Sequence, residues 1–544
     1  MRIYFSVLLS LLCGFSFAQK KQPKLIVGIV VDQMRYDYLE RFQSKYSANG
    51  FVKLMNKGTN CKNTNYNYVP TYTGPGHASI YTGTTPAVHG IIANDWFDRN
   101  EGGMVYCAED KSVSSVGTQN NAGQMSPRRM LSSTIGDELK ISSLGKSKVI
   151  GIALKDRGAI LPAGHAADAA YWFDDETGNF ITSTYYRNDL PKWLSDYNNK
   201  KRTDYFLSQN WTTLLPIEQY IESLPDDNNY ESILNGETKP VFPHQLPEIL
   251  KAYNGNKGII KTTPFGNTIT KEMMFAAIEG EQLGKDDVTD LLCVSFSSPD
   301  YIGHYFGPKS IETEDCYLRL DLEIAEILSY LEKNIGKDNF ILFLTADHAA
   351  VDVPNHLKDN KIPSGYLTLN NLTNELNNYL LEEFPLNDPS ERFVKAIANG
   401  QVFFNLELLK KNKIEREAIE IKAAEFLRTI PGVANVLTRH NLLYTEYTIG
   451  IKRLIQCGFN ELRSGDVIIN MLPAWADYGP KGTTHGSPYS YDTHVPLLWY
   501  GSEIAVRDHM ESVMITDIAP TVCMMAGIPY TNGSTGKLIP CLIK

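Results

Sequence analysis

The 544-residue chain contains no Cys-x-x-Cys pair, and its eight cysteines are scattered singly. That excludes a thiolate zinc ribbon and a thioredoxin-type redox motif. After the first dozen or so residues no apolar run is long enough to cross a bilayer, which takes about 20 residues. Positive charge is in deficit: 52 Lys and Arg stand against 62 Asp and Glu, a formal charge of −10. An acidic surface argues against nucleic acid as a partner. Internal repeats and low-complexity tracts are also missing. The remaining composition, 43% hydrophobic and 21% charged, is that of a folded globular chain.

The first residues read as a cleavable leader: one positive charge at Arg2, an apolar run from Ile3 to Leu12, and a small-residue exit at Ser16-Phe17-Ala18. We expect a signal peptide over residues 1–18, cleaved after Ala18, and a secreted protein that is periplasmic where an outer membrane exists. Cys13 follows the bulky Leu12 where lipoprotein processing wants a small residue, which argues against lipidation. The mature chain keeps an odd number of cysteines, so at least one is expected free or buried even if others pair. Oligomeric state is not legible, and a monomer is compatible with everything here.

Lys24–Val31 is a β-rich apolar run ending in Asp32, and Met34–Tyr46 then reads as a crossover helix. Similar runs recur at Val149–Leu154, Leu291–Ser297, Phe340–Thr345 and Val495–Tyr500, with helical patterns at Glu312–Lys333 and Thr516–Met525. The alternation predicts an α/β fold with a mostly parallel central sheet and helices on both faces. Polar residues just after such strands fall at the carboxyl edge of the sheet, where folds of this class bind ligands. Asp32, Lys155, Asp300 and Asp347 hold such positions. The segments 97–143, 166–285 and 355–469 differ in character, rich in Tyr, Asn, Asp and Pro or carrying amphipathic patterns such as Ile414–Leu427. They read as insertions that cover the site within one domain spanning 19–544.

Tyr72-Thr73-Gly74-Pro75-Gly76-His77-Ala78-Ser79-Ile80 reads as an extended approach, a glycine corner and a small-residue helix start. It sets the Thr73 hydroxyl at the positive end of a helix, a good place to hold an anion. A threonine hydroxyl becomes a nucleophile at neutral pH only beside a base or a metal. The plainer alternative is a Gly/Pro turn with Thr73 as helix cap. Metal donors are present elsewhere. Asp300 and His304 stand at i and i+4, on one face of a helical turn. Asp347-His348 is an adjacent pair after a strand, and His485 lies in the small-residue loop Gly482-Thr483-Thr484-His485-Gly486-Ser487. With Asp32 this makes three Asp and three His, an oxygen and imidazole set that suits zinc at two open sites. Singly, the aspartates could cap helices and His485 could be structural. His77 and His494 are read as structural and not as ligands.

Together these stretches resemble the alkaline phosphatase superfamily, most closely its secreted PafA-type monoesterases, which use a threonine where better-known members use serine. The motifs that carry the resemblance are VVDQMRYDYL at Asp32, PTYTGPGHASIYTG at Thr73, HGIIANDWFD at Asn94, ALKDRGA at Lys155 and Arg157, SSPDYIGHYFG at Asp300 and His304, TADHAA at Asp347 and His348, and THGSPYSYDTHVPLL at His485. The resemblance implies two zinc ions per chain, one held by Asp300, His304 and His485. The other would be held by Asp32, Asp347 and His348 with the Thr73 oxygen. It further implies attack by Thr73 on phosphate monoesters of broad kind through a covalent phosphothreonine, with Asn94, Lys155 and Arg157 binding the phosphoryl group. Read as an extended segment, Lys155 and Arg157 at i and i+2 share a face and reach one phosphoryl group together; an exposed charged turn is the bland alternative. Relatives that favour diesters lack this basic pair, so a phosphodiesterase or nucleotide pyrophosphatase is the nearest rival. A sulfatase is excluded by the absence of a CxPxR-like motif at the nucleophile, and a binding-only module would leave Thr73 without a purpose.

Overall fold

The computed structural model describes residues 22–543 apart from positions 389 and 541, so the leader and Cys541 lie outside the described residues. A ten-stranded sheet forms the centre. Five strands lie parallel in the spatial order Phe340–Thr345, Leu25–Val31, Asp290–Phe296, Val149–Ala153 and Ala169–Asp174. Every residue of all five is buried. That is why they read as continuous apolar runs and not as alternating ones. Antiparallel pairings extend the sheet on both sides, with one parallel pair, Thr59–Cys61 and Arg507–His509, at an edge. The run read over Val495–Tyr500 supplies one of them, Leu497–Gly501, antiparallel to Phe340–Thr345.

Helices flank the sheet. Asp156–Ala163 and Phe265–Gly280 both pack against the Val149–Ala153 and Asp290–Phe296 strands. The longest, Ile311–Asn334, starts where the Ser310 hydroxyl accepts the Thr313 N–H at 3.0 Å. The helix expected over Met34–Tyr46 is much shorter, Asp37–Arg41 followed by a 3-10 turn at Gln43–Lys45. Tertiary contacts decide this: the Arg35 guanidinium donates to Asp37, to Asp352 at 2.9 Å and to the Ala350 carbonyl, which holds Arg35 ahead of the helix and not within it.

The segment 166–285 is only partly an insertion. Ala169–Asp174 and Asn179–Ser183 are strands of the central sheet, and Phe265–Gly280 is one of its covering helices. Its polar composition hid the buried strand AAYWFD. The segment 355–469 runs into an antiparallel four-stranded sheet in the order Val394–Ala398, Gln401–Phe404, Val467–Met471, Val433–Thr438. Helices Leu372–Glu383 and Arg416–Leu427 pack with it. It has a hydrophobic cluster of its own, in which Leu376, Phe393, Val402, Ile419, Leu427 and Val467 are fully buried.

All six described cysteines are free thiols, and among the described residues no helix is long and apolar enough to cross a membrane. Because the small sheet has its own core, Leu376→Ala should cost about 2–5 kcal/mol locally. In hydrogen exchange the amides of Val394–Ala398 and Arg416–Leu427 should lose protection while those of Leu25–Val31 keep it; equal loss in both would show that the two cores unfold as one.

Candidate active site

The site forms where the parallel strands end. Asp32 follows Leu25–Val31, its N–H donating to the Phe296 carbonyl at 3.0 Å. Asp300 and His304 lie on helix Ser298–Phe306, whose turn brings His304 Nε2 to 3.1 Å from Asp300 Oδ1. Asp347 and His348 sit in the loop after Phe340–Thr345, and His485 in an irregular loop held over them. The six residues gather as two groups, Asp300–His304–His485 and Asp32–Asp347–His348, and within each the candidate ligand atoms all lie within 4.8 Å of one another. The two groups touch, since the His348 and His485 rings stack with centroids 3.4 Å apart.

All three imidazoles are fixed the same way. His304 Nδ1 lies 2.7 Å from the Thr483 carbonyl, His485 Nδ1 2.6 Å from the Thr71 carbonyl, and His348 Nδ1 3.1 Å from the Ala349 carbonyl. A carbonyl can only accept, so each Nδ1 carries a proton, and in the neutral ring that leaves the lone pair on Nε2. This is the second layer that metal-binding histidines use. Burial pushes His348 below the usual imidazole range, and burial followed by the neighbouring His348 pushes His485 well below it. Both therefore stay neutral, as ligation requires. His304 goes the other way: burial lowers it, but the Asp300 carboxylate outweighs burial and raises it.

Three carboxylates are buried together and one ammonium answers them. Lys155 Nζ lies 2.7 Å from Asp32 Oδ2 and 2.5 Å from Asp300 Oδ2. Burial, then Asp347, drives the Asp32 carboxyl well above its normal range. For Asp300 burial also works upward, but His304 and Lys155 overcome it and hold the group well below. Asp347 is likewise lowered against burial, by His348 and His77. Asp32 Oδ1, Asp347 Oδ2 and His348 Nε2 are buried with no hydrogen-bond partner among the described residues. Buried oxygen and nitrogen acceptors left without donors are costly unless a cation sits with them, so the donor set fits divalent metal.

Thr73 is buried and opens helix Thr73–Thr82, with Tyr72 extended before it. The helix lies directly on Asp347: a Cβ on Gly76 would come within 2.4 Å of the Asp347 carbonyl oxygen. The Asn94 side-chain carbonyl accepts the Gly74 N–H at 2.7 Å, so Asn94 holds the corner beside Thr73. His77 has both nitrogens engaged, Nδ1 with the Thr73 carbonyl and Nε2 with Ser295 Oγ, each at 2.9 Å, and Nδ1 also lies 3.3 Å from Asp347 Oδ2. His494 bonds the Lys62 carbonyl and stacks on Tyr36.

The basic pair departs from the extended geometry read for it. Lys155 caps helix Asp156–Ala163 and Arg157 lies in its first turn. The i, i+2 argument therefore fails. Lys155 turns to the carboxylates, while Arg157 is half-buried and donates to the Tyr106 hydroxyl at 3.0 Å.

One residue at the centre is invisible to motif spacing. Gln33 is buried with φ of +63°. Its N–H donates to Asp347 Oδ1 at 3.1 Å and its side-chain amide to Asp300 Oδ1 at 2.7 Å, which ties the two donor groups together. A Cβ at Gly303 would lie 2.0 Å from its Oε1. A left-handed glutamine is strained, and only its place directly after Asp32 hints at a role.

The profile of the type I phosphodiesterase/nucleotide pyrophosphatase family matches residues 26–494. The chain is 44% identical over 520 residues to alkaline phosphatase PafA of Elizabethkingia meningoseptica, covering 95% of this chain and 94% of that one. It is 43% identical to alkaline phosphatase PhoV of Synechococcus elongatus over 98% of both chains. A Myroides odoratus protein named as a calcium-transporting ATPase is 45% identical, again over 98% of both. The crystal structure of wild-type PafA superposes with a TM-score of 0.92 at 43% identity, over 96% of this chain and 99% of that one. A PafA variant with a threonine, an asparagine, a lysine and an arginine replaced superposes equally well. A fold shared along the whole chain, together with identity at this level, places the chain in the type I phosphodiesterase/nucleotide pyrophosphatase family, among its PafA-like alkaline phosphatases.

Proposed function

We propose that the protein is an exported, two-zinc phosphomonoesterase of broad specificity in which Thr73 is the nucleophile. The observation that carries the reading is the set of three imidazoles, each with Nδ1 anchored on a backbone carbonyl and Nε2 turned toward buried carboxylates. Asp300, His304 and His485 would hold one zinc, and Asp32, Asp347, His348 and the Thr73 oxygen the other. Bound zinc would supply the Lewis acidity that lowers the pKa of a hydroxyl and carries negative charge on a departing oxygen.

The chain's own residues do the rest. Helix Thr73–Thr82 aims its N-terminal dipole at the phosphoryl group. Thr73 Oγ forms a bond to phosphorus, its proton passing to solvent, while the bond to the alcohol oxygen breaks and the alcohol takes up a proton. Water then hydrolyses the phosphothreonine, which frees phosphate and restores the hydroxyl. Asn94 spends its carbonyl on Gly74, which leaves its amide N–H groups for a non-bridging oxygen. Lys155 bridges carboxylates of both donor groups, so its ammonium stands where a dianionic phosphoryl group needs countercharge. The four residue types replaced in the PafA variant occur in the chain order of Thr73, Asn94, Lys155 and Arg157, which supports assigning them to substrate. The family profile also carries the name phosphodiesterase, and diester hydrolysis is the second reading. A diester offers one fewer free oxygen to Lys155 and Arg157.

Thr73→Ala should keep its zinc by metal analysis and lose turnover by at least about a thousandfold. Zinc retained with turnover unchanged would remove Thr73 as nucleophile. Lys155→Ala with Arg157→Ala should lower kcat/KM for an aryl phosphate monoester by ~100-fold or more, since charged hydrogen bonds contribute about 1.5–3 kcal/mol each, and lower that for the matching diester far less. Equal losses would favour the diester reading. Gln33→Ala should weaken zinc retention against a chelator by roughly 10–100-fold; retention equal to that of the unaltered protein would show that the tie between Asp300 and Asp347 is dispensable.

A further inference from the structure

A cavity of about 600 Å³ opens beside His485, between the sheet edge and the small antiparallel sheet of the 355–469 segment. On one side it is bounded by Tyr72 and the Thr484–Ser487 loop, and on the other by residues 395–400 and 469–471. Tyr72 directly precedes Thr73, and Asp95, also in the wall, directly follows Asn94. The cavity thus abuts the residues next to Thr73 and Asn94, and His485 itself lies in its wall.

Its walls are built, not loose. The Tyr72 ring meets the His485 ring edge-on with centroids 5.5 Å apart. Gly486, at φ of +118°, permits this approach, since a Cβ there would lie 2.6 Å from the Tyr72 ring. Across the cavity the Trp475 indole is wedged against Gly432 and Gly365, where added Cβ atoms would fall 2.2 and 2.8 Å from it. Asn399 Nδ2 donates to the Asp95 carbonyl at 2.6 Å, pinning the inserted sheet to the segment that carries Asn94.

In an in-line displacement by Thr73 the alcohol departs on the side opposite the attacking oxygen. That is the side of Asp300, His304 and His485, where the cavity begins. Its charged lining is Asp95, Asp477 and Asp492 against Lys395, so a further anionic group is disfavoured there. Met104, Val351, Leu369, Ile469 and Trp475 give it apolar surface for a ring, and its size is that of ordinary small-molecule sites.

We propose that this cavity is the alcohol subsite, and that it accepts a neutral, ring-bearing alcohol of aryl or nucleoside size in preference to one that carries more phosphate. The proposal rests on the phosphomonoesterase reading and adds the substrate class.

The test is a set of kcat/KM values for phenyl phosphate, a nucleoside 5′-monophosphate, the matching triphosphate and glycerol phosphate. Thr373→Trp, on the first turn of the helix that borders the cavity, fills it from the inserted side. Asp477→Lys reverses one wall charge. Thr373→Trp should lower the ratio of the ring-bearing monoesters to glycerol phosphate by about tenfold, and Asp477→Lys should raise the ratio of triphosphate to monophosphate several-fold. Asn370→Trp is a second filling variant should Thr373→Trp lose its fold or zinc. Both ratios staying within about twofold of the unaltered protein, with hydrolysis intact, overturns the subsite and leaves the phosphatase reading standing. Absence of monoester hydrolysis in the unaltered protein overturns that reading, and the subsite falls with it.

Discussion

Three carboxylates, Asp32, Asp300 and Asp347, are buried at one edge of a parallel sheet with a single ammonium between them. Left alone, such a cluster would repel itself or take up protons, and the upward drive on Asp32 is that tendency. Much of the surrounding structure answers this one problem. Lys155 reaches in from a helix cap to Asp32 and Asp300, Gln33 donates to Asp300 and Asp347, and His77 stands against Asp347 as well. Three imidazoles are locked into the tautomer that offers a lone pair. A site so short of positive charge is poised for divalent cations, and with them for a substrate dianion.

Holding these groups together constrains the backbone in ways that only small residues permit. The Thr73 helix can lie on Asp347 because residue 76 has no side chain, and Gln33 can fold back because residue 303 has none. The strained φ of Gln33 is maintained by its two hydrogen bonds, a local cost accepted where the chemistry sits. The parallel topology makes the rest possible. Strands Leu25–Val31, Asp290–Phe296 and Phe340–Thr345 run the same way, so the residues that follow them converge although they are distant in the chain.

That convergence is why so much was legible in the sequence. Buried parallel strands announce themselves as apolar runs, and Phe340–Thr345 has the bounds its composition suggests. The polar residue after each run falls where α/β sheets bind ligands, and the i, i+4 spacing of Asp300 and His304 needs only one helical turn. What was not legible depends on contacts across the chain. Ala169–Asp174 is short and lies in a polar stretch, so it read as insertion although it is a central strand. Lys155 and Arg157 read as extended neighbours because nothing in LKDR shows that a helix begins at Asp156. Gln33 carries no signal of its own, since its importance is a φ angle and two partners some 270 and 310 residues away.

The architecture also separates two tasks. The donor groups sit at the ends of buried strands and on a helix packed against them, where a shift of an ångström would undo the geometry. The inserted sheet has its own core and is tied to the rest of the chain by contacts that include Asn399 to Asp95 and the ion pair between Arg99 and Asp466. Substitutions on its cavity-facing surface can change what fits beside His485 without disturbing the carboxylates, because the two cores are packed separately. Rigid chemistry on the main sheet and adjustable walls on an insertion is the arrangement expected when one phosphoryl-transfer site must serve different alcohols. Trp475, packed on Gly365 and Gly432, and Asn399, bonded to the Asp95 carbonyl, give that wall a definite shape, so replacing its side chains is a direct way to change what fits.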